Sequence, residues 1–365
     1  MPTSPIRKIA LLTGGGDCPG LNAAIRAVVQ ACVLEHGVEV VGIPDGFKGL
    51  VENRFVPLDL VNTAGIFSRG GTILGSSNVD TPFRVPVTGA GGTTYEDRSD
   101  AALEHLARAN VDAMIVVGGD GTQAIAHAMA RKGVKLVGIP KTIDNDLNGT
   151  DYTIGFFTAV GTAVGALDKL HTTAESHHRI MVVEVMGRNA GWIALFAGLG
   201  GDADAILIPE IPFDANRLAA FLKDSHHTRK PYSIVVVSEG ARPVGGEVTV
   251  TRTVEHSPEK IRLGGVAHRV AADLEALTGR ETRAIVLGHL LRGGAPEGFD
   301  RILASRFGVM AVKAVMAQRF DTMVAVRGNE VELVPLETGA GKNRFIDPGS
   351  PFLQAARTRG ICFGD

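Results

Sequence analysis

The run Ala113-Met114-Ile115-Val116-Val117-Gly118-Gly119-Asp120-Gly121-Thr122 opens with five apolar residues and closes on a polar, glycine-rich turn. Apolar residues that do not alternate with polar ones predict a strand buried on both faces, as in a parallel sheet covered by helices. The pattern recurs along the chain. Ile9–Leu12, Val38–Ile43, Lys135–Ile139, Ile180–Val185, Ala205–Ile208, Ile234–Val237, Ala284–Leu287 and Met323–Val326 read as further strands. Helical periodicity falls between them at Asn22–Glu35, Asp97–Ala109, Gln123–Arg131, Thr158–Thr173, Ala190–Leu199, Ala215–Asp224, Val266–Leu277 and Arg301–Ala317. Nine such strands exceed what one compact sheet usually holds. The expectation is therefore an α/β protein of two doubly wound Rossmann-like domains, with the active site in the cleft between them. Arg84–Thr94, rich in Pro, Gly and Thr and without a period, reads as a surface loop. Gly245 to Glu259 reads as a hairpin or loop.

Composition narrows the function classes. The chain has 365 residues, 45% of them apolar and 21% charged, with a net charge of −2. That balance offers no strong field for a nucleic acid or an anionic membrane. The N-terminus lacks the apolar core and cleavage site of a signal peptide, and no apolar run is long enough to span a bilayer. Cysteine occurs only as Cys18, Cys32 and Cys362, a sparse odd set that suits a reducing compartment, so the cytoplasm is expected.

Three strands run into turns with chemistry in them. Leu12-Thr13-Gly14-Gly15-Gly16-Asp17-Cys18-Pro19-Gly20 opens a helix, where glycines let backbone amides approach an anion. A tight strand-to-helix connection accounts for it equally well. Pro19 stands where the dinucleotide fingerprint requires glycine, and the chain has no Walker A motif. In the second turn, Asp120 among glycines at a strand's carboxyl end suits Mg²⁺ held against phosphate oxygens, although an N-cap Asp gives the same pattern. The third, Ile139-Pro140-Lys141-Thr142-Ile143-Asp144-Asn145-Asp146-Leu147, packs a cation, a hydroxyl and two carboxylates into one turn. Two carboxylates suit separate tasks, one accepting a hydroxyl proton and the other orienting or holding metal.

With that third turn in view, the sequence resembles the phosphofructokinases. The matching stretches are Thr13–Arg26, Arg69–Ser76, Gly118–Thr122, Pro140–Thr153, Ile154–Phe157, Arg179–Gly191, Gly279–Pro296 and Asp300–Arg306. Pro140–Phe157 together with Val183–Gly191 is highly specific, whereas Gly118–Thr122 alone also resembles NAD kinases and diacylglycerol kinases. The resemblance implies that Asp144 is the general base for the 1-hydroxyl of fructose 6-phosphate. It implies that Thr142 and Arg188 stabilise the transferring phosphoryl group, and that Asp120 binds Mg²⁺. Gly15, Gly119, Gly121, Thr122 and Lys141 would form the phosphoryl-donor site. Arg179, Met186, Gly187, Glu239, Arg283, His289 and Arg292 would hold fructose 6-phosphate. Arg179 and Arg283 would reach in from a neighbouring subunit, implying a dimer or homotetramer. The donor domain would comprise residues 1–155 plus about 291–340, and the sugar domain 156–290 plus about 341–365.

The resemblance also frames the choice of donor in this glycolytic reaction. Glycine at 121 leaves room for the α-phosphate of ATP, where pyrophosphate-using members carry Asp. Lysine at 141 is the residue of the pyrophosphate branch. A steric and electrostatic block is harder to evade than an extra ammonium is to tolerate, so ATP is expected, with pyrophosphate the alternative. Asn78 stands where relatives carry an arginine bridging both substrates, a loss worth about 1.5–3 kcal/mol, or roughly ten- to a hundred-fold in rate. A non-catalytic sugar-phosphate or nucleotide sensor, or a kinase for another sugar phosphate, are the remaining readings. Arg26 and Arg54 fit basic residues that bind effectors in bacterial relatives, while Gln30 replaces another. His177-His178 and His226-His227 are not expected to bind metal, because adjacent side chains diverge. Cys18 is expected near a helix N-terminus that could lower its pKa, and Trp192 in the core.

Overall fold

The computed structural model describes residues 6–77, 80–89, 92–224, 230–253 and 261–365. Asn78 and the pair His226-His227 lie outside the described residues. In chain order the elements are β1 (Lys8–Thr13), α1 (Leu21–Gln30, continued by a π-helical turn at Ala31–Glu35), β2 (Glu39–Ile43), α2 (Phe47–Val51), β3 (Val56–Leu58), β4 (Val85–Gly89), β5 (Gly92–Glu96) and α3 (Ser99–Arg108). There follow β6 (Ala113–Gly118), α4 (Asp120–Arg131), β7 (Leu136–Pro140), α5 (Phe156–His177), β8 (Ile180–Val185), α6 (Trp192–Gly200), β9 (Ala205–Leu207), α7 (Ala215–Lys223) and β10 (Ser233–Ser238). The remainder is β11 (Val250–Thr253), β12 (Ile261–Leu263), α8 (Val266–Thr278), β13 (Thr282–Val286), a 3-10 turn at Gly288–Arg292, α9 (Gly298–Met316), β14 (Thr322–Arg327), β15 (Glu330–Pro335) and α10 (Pro351–Thr358).

The chain forms two compact units. The first comprises Met1–Thr142, Leu147–Gly155 and Arg292–Asn343; the second comprises Ile143–Asp146, Phe156–Leu291 and Arg344–Asp365. The four residues Ile143–Asp146 thus pack with a unit to which neither flanking segment belongs.

The first unit is built on a seven-stranded sheet of order β15-β14-β7-β6-β1-β2-β3. Its inner strands are parallel, and only the edge pairs β2/β3 and β14/β15 are antiparallel. Residues alternating along the strands divide between two cores. Ala10, Leu12, Met114, Val116, Leu136 and Met323 pack with α2, α3 and α4. On the other face α1 and α9 lie together, with α9 against β6, β7 and β14. That pair packs closely because Gly308 has no side chain: a Cβ there would stand 2.8 Å from the Cβ of Ala27 and 3.2 Å from the carbonyl oxygen of Ala24. The strand order diverges between β1 and β6, the position at which open α/β sheets bind ligands beyond their strand carboxyl ends.

The second unit carries a parallel sheet of order β13-β8-β10-β9. One face packs α7 and α8 through Ile180, Val182, Leu207, Val235, Leu218 and Val270, and the other packs α5 and α6. All nine predicted strands and all eight predicted helices are present, with ends shifted by a few residues. Both sheets fit the doubly wound α/β expectation. Arg84–Thr94 is not a loop. Val85–Gly89 pairs antiparallel with Gly92–Glu96, matching Val87 to Thr94 and Thr88 to Thr93. Its β-branched and aromatic residues favour a pleated ribbon even where, as here, both strands are largely exposed and lack the alternation that burial imposes. The hairpin option at Gly245–Glu259 is realised in part, as β11 pairs with β12. The short elements β3, α2 and α10 and the edge strand β15 left no sequence signal of comparable strength.

Gly308→Val should lower stability by about 1–3 kcal/mol through overpacking at the α1–α9 contact, read as a reduced urea midpoint with an unchanged slope. Gly298→Ala, at the start of the same helix where a Cβ meets nothing within 4 Å, should leave the midpoint unchanged or slightly raised.

Candidate active site

In the first unit, parallel pairing sets three turns side by side. Thr13 of β1 pairs with Val117 of β6, and Gly118 of β6 pairs with Pro140 of β7. The Gly14 amide then donates to the Val117 carbonyl at 2.9 Å, and the Lys141 amide to Gly118 at 3.0 Å. Gly15 has φ 79°, and a Cβ on it would stand 3.2 Å from the Lys141 ammonium and 3.3 Å from the Thr122 hydroxyl. Glycine takes that backbone without strain and leaves both side chains in place. Lys141 itself is buried, and its ammonium donates to the Gly16 carbonyl. Burial pushes its pKa below the ordinary lysine range.

The second turn presents the N-terminus of α4, whose first amides have no partner within the helix and favour an anion. Asp120 is half-buried there, and Gly121 is exposed, with nothing within 4 Å of where its Cβ would be. Gln123 is a residue that sequence reasoning passed over. Its buried side-chain amide donates to the carbonyls of Gly118 and Ile139, each at 3.0 Å, and so ties the second turn to the third. A glutamine in the first turn of a helix carries no such message by itself. Arg292, assigned to the sugar by resemblance, packs with this unit. Its Nη1 lies 2.7 Å from the position of a Cβ on Gly16 and donates to the Asp17 carbonyl at 3.2 Å. Two cations thus flank the first glycine turn. Thr142 is half-buried in this unit too, with its carbonyl accepting the Thr153 hydroxyl at 2.6 Å.

In the second unit, Met186, Gly187 and Arg188 follow β8, Glu239 follows β10, and His289 follows β13, all at the carboxyl ends of adjacent strands. Gly187 has φ 133°, and a Cβ would be 2.5 Å from the Ser238 hydroxyl, which donates to the Gly187 carbonyl. Met186, Arg188 and Glu239 are half-buried and His289 is exposed. Asp144 belongs to this unit and is half-buried as a residue, with the carboxylate oxygen Oδ1 buried.

Arg179 and Arg283 do not join that group. Arg179 precedes β8, and Arg283 pairs with Met181 near the start of that strand. A strand of six residues spans about 20 Å, which separates them from the carboxyl ends where Met186 and Glu239 stand. Both pair with Glu281, Arg179 through Nε at 2.9 Å. Those contacts hold the Glu281 carboxyl below its ordinary range.

Other expectations resolve locally. Cys18 is buried, its thiol donating to the Ile154 carbonyl at 3.4 Å, and burial pushes its pKa up to about 12. The expected lowering by a helix end is overturned by desolvation, which disfavours the thiolate. Arg26 donates to Leu60 and Thr63, while Arg54 pairs with Asp45 and Glu52. Trp192 is core as expected, with its Nε1 donating to the Arg344 carbonyl at 3.0 Å. Among the described residues no group of three or more His, Cys, Asp or Glu could hold a metal. A single carboxylate such as Asp120 is compatible with Mg²⁺, an ion that keeps its waters and binds through one or two carboxylates plus substrate phosphates. No helix is long and apolar enough to cross a membrane among the described residues.

The phosphofructokinase family model matches residues 8–315. The chain belongs to the phosphofructokinase family. It is 51% identical over 363 residues to the ATP-dependent 6-phosphofructokinase 2 of Clostridium perfringens, covering 99% of each chain. It is also 47% identical over 343 residues to the pyrophosphate--fructose 6-phosphate 1-phosphotransferase of Streptomyces coelicolor, covering 93% of this chain and 96% of that one. The crystal structure of Pichia pastoris phosphofructokinase superimposes with a TM-score of 0.78 at 30% identity, covering 93% of this chain and 36% of that longer chain. Relatives using either donor thus lie within a few per cent of identity, and overall similarity does not separate them.

The thiols of this phosphofructokinase should be protected. Cys32 is pushed up to about 12 by burial, and burial raises Cys362 as well. Titration with a chromogenic disulfide at pH 8 should find Cys18 and Cys32 silent in the native protein, and all three cysteines reactive in denaturant.

Proposed function

We propose that this phosphofructokinase transfers the γ-phosphoryl group of ATP to the 1-hydroxyl of fructose 6-phosphate, giving fructose 1,6-bisphosphate. The observation that carries the choice of donor is the open space at Gly121 beside Asp120. A third phosphate and a nucleoside need room where an aspartate would fill and repel. The similarity to the ATP-dependent 6-phosphofructokinase 2 of Clostridium perfringens favours the same donor.

Phosphoryl transfer asks a protein for position and charge compensation more than for covalent chemistry. The glycine turn after β1, the N-terminus of α4, Thr122 and the ammonium of Lys141 would hold the phosphate chain in the first unit. Asp120 would hold Mg²⁺ once a nucleotide supplies the remaining oxygens, and the ion's contribution there is charge neutralisation of the phosphates. In the second unit Met186, Gly187, Glu239 and His289 would bind the sugar, and Arg188 would meet the charge of the moving group. Thr142 would donate its hydroxyl to the same charge. Asp144 would accept the proton of the 1-hydroxyl as the oxygen attacks. Lys141 favours pyrophosphate as the second reading, because a buried cation on the first turn also suits a compact donor.

Arg179 and Arg283 sit at the wrong end of their own sheet for this chemistry. They would complete the sugar site of a second copy, so the enzyme would be at least a dimer. Three free cysteines accord with a cytoplasmic setting.

Formation of fructose 1,6-bisphosphate should be fast with ATP and at background with pyrophosphate; the reverse ranking overturns the donor assignment. Gly121→Asp should raise the KM for ATP more than about tenfold by closing the space. Asp144→Asn should lower kcat by about 10²–10⁴-fold while fructose 6-phosphate still binds in calorimetry. Mixing inactive Asp144→Asn with inactive Arg283→Ala and allowing subunits to exchange should restore part of the activity. No recovery would mean that each chain completes its own site.

A further inference from the structure

The loop that bears Asp144 is held from the far end of the chain. Asn145 is fully buried and adopts φ 51°, a left-handed conformation open to few residues other than glycine. Two contacts from one residue hold it there. The main-chain amide of Arg344 donates to the Asp146 carbonyl at 2.6 Å, and Nη2 of Arg344 donates to the Asn145 carbonyl at 3.1 Å. The guanidinium is itself fixed. Its carbon lies 4.4 Å over the ring centroid of Trp192, and Trp192 Nε1 donates back to the Arg344 carbonyl at 3.0 Å. Two residues on, the Ile346 amide donates to Glu210 at 3.0 Å, and the same carboxylate accepts the Gly191 amide at 3.1 and 3.2 Å. Gly191 closes the turn that begins with Gly187 and Arg188. The strip Arg344–Ile346 therefore grips the Asp144 loop through Arg344 and the Arg188 turn through Trp192 and Glu210, all within the second unit.

We propose that Arg344 is a positioning residue for the reaction: stacked on Trp192 and bonded to the Asn145 carbonyl, it sets the reach and orientation of the Asp144 carboxylate relative to the Arg188 turn. The proposal rests on the reading of Asp144 as the proton acceptor. Nothing in it requires Arg344 to touch a substrate. Arginine suits the task because its plane can stack on an indole while its edge donates, a pair of contacts that lysine cannot make together. The carbonyl that Arg344 holds belongs to the Asn145–Asp146 peptide, one residue beyond Asp144, so a shift there passes through the loop backbone to the carboxylate.

Arg344→Met and Arg344→Lys are compared with wild type and with Asp144→Asn for kcat, both KM values and melting temperature. Arg344→Met should lower kcat by about 10- to 100-fold, the cost of a misplacement of about 1 Å, with both KM values within about twofold of wild type. Arg344→Lys should lose less, about three- to tenfold, because it keeps a donor but not the stack. Trp192, the only tryptophan of the chain, should change its emission in both variants while the far-ultraviolet spectrum stays the same. In the Asp144→Asn background, Arg344→Met should add no further loss, because the two act through one group. Wild-type kcat in folded Arg344→Met overturns the inference. If that variant is unfolded, wild-type kcat in Arg344→Lys does so. An equal additional loss in the Asp144→Asn background also overturns it, by showing that Arg344 acts elsewhere. Full activity in Asp144→Asn defeats instead the reading of Asp144 as the base, a result separate from an inert Arg344.

Discussion

Parallel pairing in register is the constraint from which the rest of this molecule follows. Strands that run the same way end at the same edge, and the turns that leave them meet there. In the first unit the turns after β1, β6 and β7 are forced next to one another, because Thr13, Val117, Gly118 and Pro140 are linked by register. Amides released at a strand's end and at a helix's start crowd into that edge, and so do the glycines that let the backbone bend there. A chain of phosphates is a complementary partner for such an edge. The second unit repeats the arrangement at the ends of β8, β10 and β13, with arginine, glutamate and histidine in place of consecutive glycines.

Buried polar side chains then decide how firmly those edges are set. Gln123 bonds carbonyls of two neighbouring strands, and Glu184, inside β8, accepts the amides of Gly265 and Ala267 at the start of α8. Asp300 accepts the Gly155 amide, and Glu210 joins Gly191 to Ile346. Each is costly to bury unless bonded, and each bonds backbone groups beside a turn, although Gln123 Oε1 is left without a hydrogen-bond partner among the described residues. The molecule thus places its buried polarity next to the residues proposed for chemistry, where a loose turn would do most harm. Lys141 belongs to both classes, being a buried cation held by the Gly16 carbonyl and facing the space beside Gly15 where an anion would sit.

The sequence carried the strands, the helices, the three turns and the family, because each depends on residues close together in the chain. Apolar runs without alternation identify a doubly covered sheet, and Pro140–Phe157 with Val183–Gly191 is too particular a combination to arise from turn chemistry. The same local reading failed at Cys18, where the nearby helix end was legible and the burial that outweighs it was not. It failed again at Arg84–Thr94, where an exposed ribbon has no buried face to imprint a period.

What only tertiary structure decided is what joins residues far apart. Register put Arg179 and Arg283 at the amino end of their sheet although each neighbours motif residues in sequence, and packing drew Arg292 to the first glycine turn. Arg344 came to lie on Trp192 and beside Asn145 across some 150 and 200 residues of chain. A side chain's local pattern records the element it belongs to, through propensity and periodicity. Its partner across the fold leaves no mark there, because that contact is fixed by the summed packing of every element between them.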